Sequence, residues 1–117
     1  MSATEFYLNK GFTPLTQTAV LNTTNTISVW VSKAGHRVAI TNLAFSSDPV
    51  GTLTFYWDNG NNAIATYHLF GSVSLTPSIG CWDSTVSGGR IFARASAAQS
   101  TGGFINLTGF EIPVTAV

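Results

Sequence analysis

The sequence predicts an all-β protein, an antiparallel β-sandwich or jelly roll of about eight strands. Between Thr26 and Ser32, the apolar residues Ile27, Val29 and Val31 alternate with other side chains, which is the spacing of a strand. No segment repeats apolar residues at i, i+3, i+4 and i+7 over two turns, so helix content is expected to be near zero. Clusters of Gly, Pro, Asn, Asp and Ser separate short apolar runs, as in sandwiches and jelly rolls.

The chain is expected to divide into an N-terminal arm or first strand at 1–25 and a β-sandwich domain at 26–117. Pro14 limits how regular the first segment is as a strand. The later strand candidates are short runs of alternating or apolar residues bounded by turn residues, at 26–32, 37–46, 52–57, 63–70, 72–76, 81–84, 90–95 and 104–112.

The longest of the early candidates contains a break in its alternation. Val38 and Ile40 share one face, whereas Leu43 and Phe45 follow out of phase with them across Asn42. A one-residue slip of this kind predicts a β-bulge or a change of sheet.

The composition is poor in charge: 9% of residues are charged and 44% hydrophobic, whereas about a quarter of a typical soluble domain is charged. Such a surface favours a protein covered by neighbouring chains, since interface cores are depleted in charge. A secreted sandwich rich in Ser and Thr is the alternative. Five basic residues balance five acidic ones, which argues against binding to nucleic acid or to anionic membranes.

Cellular location is indicated by three features. The single cysteine, Cys81, excludes an internal disulfide and fits a protein folded in a reducing cytosol. Residues 1–8 lack the basic and apolar regions of a signal peptide, and no apolar run approaches the roughly 20 residues of a membrane span. We expect synthesis in the cytoplasm.

No catalytic or metal-binding constellation is evident. His36 and His68 are the only histidines, neither has a second ligand at metal spacing, and Cys81 is expected to be a buried small side chain. Residues 58–62, Asp-Asn-Gly-Asn-Asn, loosely resemble a calcium loop but lack its closing acidic ligand, and they are also typical of a hairpin turn. We expect no enzyme activity, no metal and no cofactor.

Aromatic residues are the remaining functional signal. Alternation places Trp30 and Tyr56 opposite their apolar neighbours, and Trp82 follows Cys81. Exposed aromatics on a neutral surface are typical of sugar-stacking platforms or of protein interfaces, although loops covering the outer faces of a sandwich would also explain them. We take Trp30, Tyr56 and Trp82 as candidate interface residues.

The last two thirds of the chain carry an ordered series of segments: RVAITNLAFSSD at 37–48, GTLTFY at 51–56, PSIGCWDST at 77–85, GGRI at 88–91 and GGFINL at 102–107. In this order they resemble a long strand, a further strand, a tryptophan-containing element, a glycine turn and a closing strand of small jelly-roll capsid decoration (cement) proteins of tailed bacteriophages. The first 35 residues lie outside the resemblance.

The resemblance implies a structural virion protein on the capsid surface, a homotrimer that bridges major capsid protein subunits. The segment Phe6-Tyr7-Leu8 is then a natural strand to add to the edge of a neighbour's sheet, and is a further candidate interface. A carbohydrate- or receptor-binding module of a phage tail, with Trp30, Tyr56 or Trp82 as a platform, is the alternative. An enzyme would require a histidine beside Cys81 or a carboxylate.

Overall fold

The computed structural model describes residues 2–46, 51–57, 62–69, 79, 81–84, 88–97 and 103–115. Their helix and strands, in chain order, are α1 (Ala3–Asn9), β1 (Leu15–Leu21), β2 (Ile27–Val31), β3 (His36–Ser46), β4 (Thr52–Trp57), β5 (Asn62–His68), β6 (Trp82–Asp83), β7 (Arg90–Ala95) and β8 (Gly103–Pro113). The expected strand at 72–76 and most of the loop at 58–62 lie outside the described residues.

The strands form two four-stranded antiparallel sheets. Sheet A has the order β1-β8-β3-β6 and sheet B the order β2-β7-β4-β5. The first strand therefore pairs with the last, the second with the seventh, the third with the sixth and the fourth with the fifth. This nested pairing is that of an eight-stranded jelly roll, and the predicted all-β sandwich is confirmed.

The principal core lies between the two sheets and is formed by inward-facing aliphatic and aromatic side chains. Its fully buried members are Leu21, Val38, Ile40, Leu43, Phe45, Leu53, Phe55, Ile91, Ala93, Ile105 and Leu107. Both sheets contribute through alternate residues, so burial of this apolar surface holds the layers together.

The predicted bulge in β3 is confirmed. The register between β3 and β8 shifts between Ile40 and Asn42, and Val38 and Ile40 before the shift face the same core as Leu43 and Phe45 after it. Gly109 lies opposite Ile40. A Cβ atom at Gly109 would lie 2.9 Å from the Cα atom of Ile40 and would also meet the Ala39 carbonyl oxygen, so the close approach of the two strands requires glycine.

The expectation of almost no helix is wrong for residues 3–9. Ser2 caps α1 by accepting a hydrogen bond from the Glu5 amide at 3.1 Å, and its hydroxyl donates to the Glu5 carboxylate at 3.2 Å. The helix ends at Asn9 with Lys10 as its C-cap, and Gly11 follows with φ of 88°. Amides of Gly11 and Phe12 donate to Leu8 and Tyr7 carbonyls at 3.0 and 3.2 Å, which is a Schellman C-cap.

The helix covers part of the outer face of sheet A. Tyr7 packs on Ala39, Phe110 and Ile112 to make a second, smaller core, with a Tyr7–Phe110 ring-centroid distance of 5.2 Å. Alternation along β3 and β8 places these sheet residues on the face opposite the principal core. Sheet A is therefore buried on both faces near α1. The part of its outer face formed by β1 and the start of β8 is not covered by α1.

Candidate interaction surfaces

Trp30 does not lie on the surface, and its predicted exposure is wrong. The register between β2 and β7 shifts between Ser28 and Trp30, so that Val29 and Trp30 both turn inward and Trp30 is 1% exposed. Its indole Nε1 donates a hydrogen bond to Glu111 Oε1 at 3.1 Å. The indole is therefore a core residue with a satisfied polar atom, and no ligand can stack on it in this fold.

Trp82 faces the interior of the sandwich. It pairs with Ile40 on β3, whose side chain lies in the principal core, and its ring lies 5.4 Å from that of Phe55. The side chain is half-buried at the edge of sheet A. It closes one end of the core, so it does not present an outward platform of the kind the sequence suggested.

Tyr56 lies on the outer face of sheet B, as the alternation of β4 predicts. Arg94 on β7 covers its ring: the guanidinium carbon is 5.0 Å from the ring centroid, and the Nη2 atom donates to the phenol oxygen at 2.7 Å. Beside this pair, the Thr54 and Thr66 hydroxyls are hydrogen-bonded at 3.0 Å. The face combines a cation, an aromatic ring and hydroxyls.

The three residues expected to form an added strand are helical instead. Tyr7 is buried against sheet A, whereas Phe6 and Leu8 are 44% and 46% exposed on either side of it. The expectation that this segment supplies an extended strand is wrong, because its backbone hydrogen bonds are satisfied within α1. We define the α1 surface as the exposed side chains of Phe6 and Leu8.

A second apolar surface, which sequence reasoning missed, lies at the edge of sheet A. Val20 on β1 is 62% exposed and lies opposite Phe104 on β8, which is also exposed. Leu15 at the start of β1 is exposed as well. We define the β1 surface as β1 together with Phe104. The signal for it was present in β1, whose sequence LTQTAVL contains no charged residue.

A polar cluster joins α1 to sheet A. Arg37 on β3 forms an ion pair with Asp83 on β6, and it hydrogen-bonds to the Tyr7 hydroxyl. Burial raises the pKa of Tyr7, although the bond to Arg37 opposes this. The hydrogen bond to Asp83 raises the pKa of Arg37, so the guanidinium keeps its charge at any physiological pH.

Cys81 lies beside this cluster and is exposed, which contradicts its expected burial. Desolvation by neighbouring atoms, followed by the negative charge of Asp83, raises the pKa of the thiol, and a hydrogen bond with Tyr7 only partly opposes this. The thiolate fraction at neutral pH is therefore lower than that of a free cysteine, and the thiol is a weak nucleophile.

The histidines do not enter a shared site. The Nδ1 atom of His36 lies 3.1 Å from the Ala34 carbonyl oxygen, and His68 lies on the outer part of β5, opposite Thr52. Within the described part of the chain, no three His, Cys, Asp or Glu side chains are grouped as metal ligands. Of the loop that loosely resembles a calcium site, Asp58 to Asn61 lie outside the described residues.

Comparison with known proteins places the chain in no family: no family model matches it, and no curated protein matches it. Among solved structures, that of a family two carbohydrate esterase from Cellvibrio japonicus matches with 14% identity and a TM-score of 0.40. The match covers 86% of this chain and 35% of the esterase chain, so the chain spans about a third of that protein. In the described residues, no helix is long and apolar enough to cross a membrane.

Proposed function

We propose that this protein is a structural virion protein that decorates the capsid of a tailed phage, where it bridges major capsid protein subunits. The observation that carries the proposal is the exposure of large apolar side chains on an almost uncharged surface. Phe6, Leu8, Leu15, Val20 and Phe104 are all exposed in the single chain, while only 9% of residues are charged. Contact with other polypeptides would remove these side chains from water.

The mechanism is mechanical. Each chain would contribute a few modest contacts, and a homo-oligomer, a trimer according to the resemblance, would engage several capsid subunits at once. Linked binding events of this kind gain affinity through high effective concentration rather than through any single strong contact. No cofactor, nucleic acid or membrane enters this mechanism, and the protein would reside on the outside of the virion after synthesis in the host cytoplasm.

The α1 surface is the part of the chain that we assign to the capsid. Phe6 and Leu8 flank the buried Tyr7 on a short helix fixed at both ends by caps, so they are presented on a rigid support. A backbone that is already fixed loses little conformational freedom on binding, which suits an interface anchor.

The test is addition of the purified protein to capsids stripped of it, followed by co-sedimentation and by measurement of capsid resistance to heat. Wild-type protein should bind at a fixed ratio to capsid subunits and raise the temperature of capsid disruption. Leu8→Glu should bind more weakly, because it places a charge within the apolar contact. Val31→Glu is the matched control, since Val31 is 58% exposed on the other sheet.

Two results would contradict the proposal. Failure of folded wild-type protein to bind any stripped capsid of its own phage would reject the decoration function. If Val31→Glu lost binding while Leu8→Glu kept it, the function would stand, but the assignment of the α1 surface would be wrong.

The alternative function, a carbohydrate- or receptor-binding module of a phage tail, is favoured by the outer face of sheet B. Tyr56, Arg94 and the paired Thr54 and Thr66 hydroxyls offer an aromatic ring, a cation and hydrogen-bonding groups on one exposed face. Binding to a glycan array that is lost in Tyr56→Ala and retained in Leu8→Glu would favour this function over capsid decoration.

A further inference from the structure

β1 is an edge strand of sheet A. It pairs with β8 along all seven of its residues, from Leu15 opposite Gly109 to Leu21 opposite Gly103, without a break in register. Among the described strands, none pairs with its other side. A regular row of backbone N–H and C=O groups along such an edge is a template for another strand.

The other three edges in the described part of the fold are interrupted or short. β6 has two residues, the pairing of β2 with β7 shifts after Ser28, and the pairing of β5 with β4 shifts after Phe55. Short strands and bulges are devices that prevent edge-to-edge association. β1 has neither device, and it also lacks the charged residues and prolines that protect exposed edges.

The sequence of β1 is compatible with pairing to itself. When two copies of LTQTAVL are aligned antiparallel with full overlap, Thr18 lies opposite its own symmetry mate, Thr16 opposite Val20, and Leu15 opposite Leu21. Each pair then joins residues on the same face of the sheet, as antiparallel pairing requires. With no charge on the strand, no like charges meet across the junction.

We propose that two copies of this chain associate through β1, antiparallel about a two-fold axis at Thr18, to form one continuous eight-stranded sheet from two copies of sheet A. The contact is isologous, so each copy offers the same surface. In this dimer, the exposed Val20 lies opposite the partner's Thr16. Leu15 lies opposite the partner's Leu21, the residue at which the partner's β1 enters its core. A second copy therefore supplies hydrogen-bond partners for the backbone groups of this edge and apolar contacts for its exposed side chains.

This inference does not depend on capsid binding. A two-fold contact cannot by itself close a trimer. If β1 is the main contact, purified protein is a dimer; if a separate three-fold contact also forms, two trimers join into a hexamer. The α1 surface that we assign to the capsid is distinct from the β1 edge.

The experiment measures the mass of the full chain by light scattering and sedimentation equilibrium. Wild type should contain an even number of copies. Thr16→Glu with Val20→Glu places two like-charged pairs across the junction, and should raise the dissociation constant about tenfold or more. Thr16→Lys with Val20→Glu places opposite charges across the same junction and should restore association.

A matched control adds the same charges to the edge of the other sheet. Ser28 and Val31 are exposed on β2, and their double substitution by Glu should leave the mass unchanged. Circular dichroism and thermal unfolding confirm that each variant is folded. A wild type that stays monomeric at its highest soluble concentration would overturn the proposal, as would a double-Glu β1 variant that associates as wild type does.

The two proposals fail separately. Thr16→Glu with Val20→Glu leaves Phe6 and Leu8 unchanged, so individual chains of this variant should still bind stripped capsids, with affinity reduced by the loss of linked contacts. Loss of association with retained capsid binding supports both proposals, whereas association without any capsid binding supports the β1 pairing alone.

Discussion

Replacement of Tyr7 by alanine tests whether α1 is held to sheet A by this one side chain. Tyr7 is 7% exposed and packs on Phe110 and Ile112. A buried tyrosine removes about 150 Å² or more from water, and at about 25 cal/mol per Å² this amounts to roughly 4 kcal/mol. Because the denatured chain already buries part of that area, we expect Tyr7→Ala to lower the free energy of unfolding by about 2–4 kcal/mol.

The loss should be confined to α1 before the sandwich unfolds. A seven-residue helix is too short to be stable by itself, so without Tyr7 it should detach, while the principal core between the sheets is unchanged. Urea unfolding measures the free-energy change, and amide exchange measures protection of residues 3–9. Tyr7→Phe should cost only about 1 kcal/mol, since it removes the hydroxyl's hydrogen bonds and keeps the ring.

Leu8→Ala is the matched control, because Leu8 lies on the same helix and is 46% exposed. It should change the free energy of unfolding by less than about 1 kcal/mol, since substitutions at exposed sites usually have small effects. If Tyr7→Ala proved as stable as Leu8→Ala, or if amide protection in α1 survived the loss of Tyr7, the docking of α1 through Tyr7 would be wrong.

Three further predictions concern other parts of the fold. Trp30→Phe should destabilise the protein by about 1–3 kcal/mol in urea unfolding, because the half-buried Glu111 carboxylate loses its indole donor; unchanged stability would contradict that bond. Gly109→Ala should cost about 1–3 kcal/mol by the same assay, since the added methyl group meets the backbone of β3. The alkylation rate of Cys81 should increase with pH, and the midpoint of this increase should lie at a higher pH than for a free cysteine, because the pKa of the thiol is raised. Asp83→Asn should lower the midpoint by removing a negative charge. An unchanged midpoint would exclude that charge as a cause of the raised pKa.

The raised pKa values of two tyrosines predict how the stability of the fold changes at high pH. Tyr7 and Tyr67 both have pKa values raised by burial above the ordinary value of 10.0. A group whose pKa is raised on folding contributes stability that is fully present below its unfolded pKa and is lost as pH rises through the folded pKa. Both tyrosines should therefore weaken the fold above about pH 10, and neither should affect it near neutrality.

Local signals in the sequence predicted the described strands from β2 onward and one of their irregularities, while they left the first segment open between an arm and a strand. The phase slip around Asn42 predicted the β3 bulge because side-chain direction alternates strictly along a strand. The two buried halves of β3 then had to lie on the same face. The nested order of the strands was not derivable in the same way, because it depends on contacts between residues far apart in the chain.

The helix and the position of Trp30 were missed although both had signals. Ser2 and Glu5 form the S-x-x-E pattern of a capping box, and Gly11 marks the C-terminal end, but a helix under two turns has no apolar periodicity to detect. In β2, the adjacent apolar residues Val29 and Trp30 already interrupt strict alternation. That interruption indicated a register shift, which is what turns both side chains inward.

The corrected aromatic positions change the balance between the two candidate functions. Trp30 and Trp82 contribute to the interior, and Arg94 covers the ring of Tyr56. A sugar that stacked on Tyr56 would therefore have to displace the guanidinium or bind on top of it, and it would lose a cation–π contact of about 0.5–1 kcal/mol in doing so. Phe6 on α1 has a comparable cation over its ring, since Lys10 Nζ lies 5.1 Å from the ring centroid. The exposed aliphatic side chains of Leu8, Leu15 and Val20 have no ring for a cation to cover. At these aliphatic side chains, association with other polypeptides requires no cation to be displaced from a ring, and the paired tests on Leu8 and Val20 address it directly.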